Sequence, residues 1–265
     1  LTCRPLVIIT IGDKLTMAVT LYHWWGSTCS RKARTTLAEK GVDWESVHID
    51  LHQFENWAPW YVKIHPNGVV PAMDHDGRIV IESNAILEYI DETFDGPELK
   101  PVDTWERANM RVWMDKSEHV LHKNMHLISH NNHHAHRWGE YAAKHGQEAL
   151  MDKVRSQPDL QRRYDEIRNA DGISDDVVAF AVERVKDQMS MIEKDLERGP
   201  WITGDTFSLA DIAVLPFVDR FSANGYGEEI SEAKRPRLAE WFARIQERPG
   251  VKEAYSFMDP DLEAC

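Results

Sequence analysis

The stretch VVPAMDHDGRIVIESNAILEYI, residues 69–90, decides the fold. Two short strand-like runs, 69–73 and 78–81, flank Asp76-Gly77, a dipeptide that supplies the positive-φ positions of a tight hairpin turn. Ile86, Leu87 and Ile90 then recur at helical spacing, which predicts a helix over 83–94 with one apolar face on the hairpin. Working outward, residues 18–24 read as a strand and 30–40 as a helix that Gly41 terminates. Residues 44–50 read as a second strand. The segment 56–68, with Pro59, Pro66 and Asn67-Gly68, is irregular or a short helix. The order is β-α-β-loop-β-β-α.

Beyond it, DGPELKPVD (95–103) breaks the periodicity with two prolines and a glycine, as a linker does. Everything after it reads as helix. Val178, Val182, Val185, Met189, Ile192 and Leu196 share one helical face, and Leu238, Trp241, Phe242 and Ile245 mark a later helix. Ser208 and Asp211 form a capping-box pair, a structural feature rather than a chemical one. The expected organisation is α/β plus all-α: a mixed four-stranded sheet domain over 17–97, a linker over 98–104 and a helical domain over 105–262. Residues 1–16, upstream of the first methionine at Met17, are expected to be a leader or extension outside the fold.

Composition narrows the function classes. With 42% hydrophobic and 28% charged residues, the chain has the make-up of a folded soluble protein. A net charge of −13 repels a phosphate backbone, so nucleic acid is not an expected partner. Three cysteines, Cys3, Cys29 and Cys265, imply no disulfide framework. No apolar run approaches the ~20 residues that span a bilayer, and PLVIIT lacks a cleavage site after it; no membrane association and a cytoplasmic location are expected.

Three motifs carry chemistry: the turn GSTCSRK (26–32), Val70-Pro71 after HPNGV, and Glu82-Ser83 ahead of AILEYI. In this order and spacing they resemble the glutathione transferase superfamily. The resemblance implies a thioredoxin-like first domain, glutathione as co-substrate and no metal. Glutathione must present its thiol as a thiolate, and a helix N-terminus with a nearby hydroxyl donor stabilises that anion. Ser27 matches the activating serine of the theta and delta classes, and the cysteine of omega and glutaredoxin-like members. The tyrosine of other classes would fall at His23. Ser30, with Cys29, matches positions used by nu-class transferases and one group of bacterial β-etherases, which makes Ser30 the second catalytic choice and Thr28 the third. Either serine would also serve as a plain helix cap. Cys29 is open between a low-pKa thiol that forms a mixed disulfide with glutathione and a buried, inert one.

By the same resemblance, the Val70 backbone, ahead of a cis-Pro71, pairs with the cysteinyl unit of glutathione as an added strand. Glu82 and Ser83 take its γ-glutamyl end, and Asn56 touches its glycine end. The family's lysine before that valine is Val69 here, and Arg31 and Lys32 are the compensating cations.

His119, His122, His126, His130 and His133 follow steps of three and four, one face of a continuous helix. That face is either solvated or lines the electrophile pocket, with Trp24, Trp25, Trp113 and Trp138 as aromatic walls; HExxH is absent and carboxylates are not regularly interleaved, so a metal is not expected. From Met17 onward, including the long stretch 130–175, the chain resembles the bacterial transferases that cleave β-aryl ethers of lignin, releasing a phenol. The alternatives are a general transferase, disulfide reductase or dehalogenase, or a non-catalytic binder of hydrophobic ligands. A dimer, with like or unlike subunits, is implied by resemblance.

Overall fold

The computed structural model describes residues 18–159, 161–163, 165 and 172–258. The expected leader, Cys3, Cys265 and the last four residues assigned to the helical domain lie outside the described residues. Val19–His23 (β1) alternates buried and half-buried side chains and pairs in parallel with Glu45–His48 (β2). On its other side it runs antiparallel to Ala72–His75 (β3), which pairs antiparallel with Arg78–Ile81 (β4), giving the sheet order β2-β1-β3-β4. Asp76 (φ 52°) and Gly77 (φ 81°) make the hairpin turn between β3 and β4. The first hairpin strand starts later than its apolar run suggests, because Val69 and Val70 precede a cis bond to Pro71 and the Val69 carbonyl accepts from the Tyr61 hydroxyl at 2.6 Å.

Thr28–Lys40 (α1) and Ser83–Thr93 (α3) lie on one face of the sheet; Ala33, Leu37, Ile86 and Ile90 close over Val19, Leu21 and Met73. Between them in sequence, Pro59–Val62 (α2) covers the other face, where Tyr61 packs with Ile49 and Val70.

The helical unit opens at Asp103, whose carboxylate caps Thr104–Lys116 (α4). Its axis continues through a π-helical turn, Ser117–His122, into Lys123–Ser129 (α5), and through a second π segment, His130–His134, into Ala135–His145 (α6). Gln147–Ser156 (α7) follows, then Asp175–Asp195 (α8), Leu209–Phe221 (α9), Pro236–Gln246 (α10) and Pro249–Tyr255 (α11). Along α9 all residues except Asp219 and Arg220 are buried, which makes it the axis of this core. No helix among the described residues is long and apolar enough to cross a membrane.

The two units meet through polar anchors. Arg34, 1% exposed, donates to the carbonyls of Trp24, Trp25 and Ala254 at 2.9–3.2 Å, and Arg248 pairs with Glu39 at 2.6 Å. The Ala254 and Glu39 ties fix α1 against α11, and the Trp24 and Trp25 bonds hold the loop before α1.

Asp211 does more than its capping pattern suggests. The box with Ser208 is formed, yet the carboxylate is fully buried and also accepts from the Ile202 N–H (3.0 Å) and the Trp241 indole N–H (2.8 Å). Asp211→Ala would strand these buried donors. At about 1–3 kcal/mol for each unsatisfied group, we expect a loss of about 3 kcal/mol or more, read as a lower urea midpoint; an unchanged midpoint would contradict this account.

Candidate functional site

A cavity of about 180 Å³ opens between the sheet domain and the helical rod. Its sheet-side wall is the turn Ser27, Thr28 and Cys29, the edge Gly68 to Pro71, Asn56, and the pair Glu82 and Ser83. Glu118, His122, Met125, His126 and Ser129 face them from the rod, joined by Arg137, Gln157, Arg162 and Arg220.

Ser27 is the N-cap of α1: its extended backbone (φ −73°, ψ 125°) lets Oγ accept from the Ser30 N–H at 3.1 Å. Capping uses an oxygen lone pair and leaves the hydroxyl hydrogen for an anion in the cavity. Cap and catalytic donor are therefore compatible roles for this serine. The first-turn N–H groups and the helix dipole point the same way. Arg220 donates to the Gly26 carbonyl at 2.7 Å and fixes the turn from α9.

Cys29 is buried at the cavity wall, with Sγ 3.9 Å from His122 Nδ1 and 4.0 Å from Nε2. The same Nδ1 lies 2.8 Å from Glu118 Oε1, and Lys32 Nζ lies 3.7 Å from the other carboxylate oxygen. Burial alone pushes the Cys29 thiol up, but the His122 and Lys32 charges outweigh it and hold the thiol below its ordinary range. His122 is raised in turn, chiefly by the Cys29 thiolate, against burial, and further by Glu118. Ligand atoms of Cys29, Glu118 and His122 fall within 4.8 Å of one another, a spacing that would suit a metal. The buried Lys32 ammonium already supplies positive charge there, so we read the group as a thiolate–imidazolium–carboxylate network.

At the other end, Glu82 has φ 69° and ψ 116°, a conformation L-residues rarely adopt, at the N-cap of α3. Ser83 Oγ accepts from Lys32 Nζ at 3.3 Å. Asn56 donates Nδ2 to the Gly68 carbonyl at 2.8 Å. Gly68 needs its lack of a side chain: at φ 57° a Cβ would come within 2.8 Å of the Asn56 carbonyl oxygen and 3.1 Å of Pro158 Cγ.

Several expected residues lie elsewhere. Ser30 is fully buried, and its Oγ accepts from the Trp24 N–H at 3.3 Å, so it braces the turn from behind and does not line the cavity. Trp113 is in the helical core with its indole N–H on Asp195 at 2.7 Å. Trp25 packs at a tilt against Trp24 (5.6 Å) and does not line the cavity, where the tryptophans are Trp24 and Trp57. Trp138 packs with Phe54 and Trp57 under the Asn56 loop. His119 is 62% exposed and pairs with Asp115 on the outside of the rod. His122 and His126 line the cavity, and His130 is buried with its ring 5.8 Å from His126; the His133 side chain lies outside the described residues. The histidine stripe breaks up because each π segment inserts backbone and rotates the following face. Arg31 and Lys32 do not compensate for Val69. Arg31 pairs with Asp219 at 2.6 Å under the Tyr255 ring, and Lys32 is buried. His23, at the tyrosine position of other classes, is buried against Arg34 and Ser46; burial, then Arg34, pushes its pKa down to about 3.

Glu118, Arg137, Gln157, Arg162 and Arg220 were not anticipated. Two signals were present: the i, i+4 acid–histidine pair Glu118/His122, and the charged pair Asp219-Arg220 inside an otherwise apolar helix.

Comparison with known proteins agrees with this geometry. Residues 17–92 match the family model "Glutathione S-transferase, N-terminal domain", and residues 163–244 match "Glutathione S-transferase, C-terminal domain". The chain is 30% identical to Protein LigF of Sphingobium sp. (strain NBRC 103272 / SYK-6), over 90% of this chain and 93% of that protein. It is 27% identical to the tetrachloro-p-hydroquinone reductive dehalogenase of Sphingobium chlorophenolicum, over 89% of this chain and 95% of that one. Among solved structures, β-etherase LigF superposes with a TM-score of 0.82 at 29% identity, over 90% of this chain and 99% of that one. Glutathione transferase F7 of Populus trichocarpa superposes at 0.67 with 25% identity, over 90% and 100%.

The network around Cys29 has a pH signature. Because the His122 imidazolium favours the thiolate, replacing it by glutamine leaves burial less opposed and shifts thiolate formation to higher pH. The check is the rate of alkylation of the Cys29 peptide, followed by mass spectrometry from pH 5 to 10. We expect the wild-type midpoint below that of a free thiol, about 8.5, and the His122→Gln midpoint above the wild type's. Coincident midpoints would remove His122 from the network.

Proposed function

Because this chain belongs to the glutathione S-transferase family, we propose that it turns the family's co-substrate, glutathione, on a β-aryl ether and displaces the aryloxy group as a phenol. The observation that carries this reading is the cavity's division: a hydroxyl at a helix N-terminus on the sheet side faces an imidazole held by a carboxylate on the helical side. Likeness over nearly the whole length to a β-etherase supports the choice of electrophile.

In this reading the Val70 backbone pairs with the cysteinyl unit, Glu82 and Ser83 receive the γ-glutamyl end, and the sulfur rests against Ser27. The thiol loses its proton to solvent, and the Ser27 O–H and the α1 N-terminus stabilise the thiolate. Sulfur attacks the carbon bearing the aryloxy group; the C–S bond forms as the C–O bond breaks with its electron pair. The departing phenolate takes a proton from His122, whose raised basicity and hydrogen bond to Glu118 keep it protonated near neutral pH. Trp24, Met125 and His126 supply aromatic and apolar contact for the rings. His126 is neutral there, burial and then the charges of His122 and its other neighbours pushing its pKa down to about 3. The active form is proposed to be a dimer in the cytoplasm, as the resemblance implies.

A second reading rests on one distance, the 3.9 Å between Cys29 Sγ and His122. A thiolate beside the glutathione sulfur would serve disulfide reduction or dehalogenation, in line with the dehalogenase among the relatives. Loss of such activity in Cys29→Ala, with ether cleavage retained, would favour this role for the thiol.

The test is mass spectrometry of products from glutathione and a racemic β-aryl ether model compound. We expect one glutathione thioether and one equivalent of phenol, with consumption stopping at half if one enantiomer is chosen. Ser27→Ala should lower kcat/KM by about 10- to 100-fold, the worth of a hydrogen bond to a charged group, whereas Ser30→Ala acts through the geometry of the turn. Glutathione binding with no thioether formed would refute the ether assignment and leave the family assignment standing.

A further inference from the structure

Glutathione ends in a glycine carboxylate, and among the described residues the sheet-domain part of the cavity wall holds no lysine or arginine. Arg31 is held by Asp219, Lys32 is buried among Ser83, Asn84, Ser117 and Glu118, and Val69 has no polar side chain. Asn56 directs one of its two Nδ2 hydrogens to the Gly68 carbonyl. Its Oδ1, buried and without a hydrogen-bond partner, accepts only, so it suits an amide N–H and repels a carboxylate. A cation for that carboxylate must come from elsewhere.

The helical domain reaches this end of the cavity. Phe54 and Trp57, beside Asn56, form one apolar cluster with Trp138 and Tyr141 of α6 and Leu150 and Val154 of α7. Past α7, Pro158 sits against Gly68, and Gln157 and Arg162 enter the cavity wall. Arg137, 8% exposed, lies 5.2 Å over the Phe54 ring and lines the same cavity. His65 records the field here: burial, then the Arg162 charge, pushes its pKa down to about 4, and its buried Nδ1 has no hydrogen-bond partner. This wall carries two guanidinium groups, of which Arg162 also lies 3.8 Å from Asp159.

We propose that Arg137 and Arg162, carried by the helical domain, bind the glycine carboxylate of glutathione, with Asn56 Oδ1 accepting the glycine N–H. The inference rests on the glutathione reading above. A guanidinium fork matches a carboxylate with paired N–H groups, and the partial burial of Arg137 strengthens the contact. Recognition of the two ends of the tripeptide is thereby divided: the sheet domain reads the γ-glutamyl end and the helical domain reads the glycine end. Because one ligand then touches both units, its binding also ties the α6–α7 arm to the Asn56 loop.

Calorimetric titration with glutathione, its C-terminal amide and γ-glutamylcysteine tests this. The wild type should bind glutathione about 10- to 100-fold more tightly than either analogue, the range for hydrogen bonds to a charged group. In Arg162→Ala and in Arg137→Met, which keeps the packing on Phe54, that ratio should fall toward one while affinity for the amide is unchanged. Arg162 is half exposed, so its removal leaves the fold intact. A wild type that binds the amide as tightly as glutathione overturns the proposal, as does a ratio preserved in both variants. A wild type that binds none of the three compounds overturns the glutathione reading itself.

Discussion

The structure around the site depends on one buried ammonium. Lys32 has no exposed surface, and an uncompensated charge there would cost several kcal/mol. Its Nζ is met at 3.2–3.3 Å by Ser83 and Asn84 of α3 and by Ser117 of the first π turn, with Glu118 at 3.7 Å and the Phe217 ring at 5.0 Å. These partners come from three elements around the cavity: α3, the first π turn and α9. Satisfying one side chain therefore aligns the start of α1, the start of α3 and the helical rod, the three elements that supply Ser27, Ser83 and His122.

That alignment explains the polarity of the site. Glu118 faces both Lys32 and His122, so the charge on the buried lysine is passed through a carboxylate to an imidazole at the cavity wall. The π turn at Ser117–His122 is the backbone adjustment that presents Ser117 inward to Lys32 and His122 to the cavity. On the opposite side Arg220 and Arg34 hold the carbonyls of Gly26, Trp24 and Trp25, so the turn carrying Ser27 is fixed by guanidinium groups rather than by apolar packing. A turn with so little apolar surface of its own needs such ties to stay in one conformation.

Much of the fold was legible because it is written in local periodicity. Asp76-Gly77 fixed the hairpin, Gly41 ended α1, and Ile86, Leu87 and Ile90 placed α3 on the sheet. The sheet-side wall was legible too, since Ser27, Val70-Pro71 and Glu82-Ser83 each sit at an element boundary with its own residue signature. Ser30 shows the limit: it has the same chemistry as Ser27, three residues away, yet one turn of helix sends its hydroxyl into the protein. Trp113 and His119 failed for the same reason. Periodicity gives relative faces along a helix but not which face meets the cavity.

The sequence by itself determined the two-part architecture, the glutathione-type turn and its helix N-terminus, because these follow from interactions within a few residues along the chain. Tertiary structure alone decided which hydroxyl faces the cavity, that Cys29 meets His122 across 93 residues, and that Arg137 and Arg162 stand over the Asn56 loop. These depend on π turns that reset the rod's register and on a buried lysine whose partners come from distant segments. Such contacts are set by the requirement to neutralise and hydrogen-bond buried polar groups in three dimensions, and that requirement leaves no periodic trace in one.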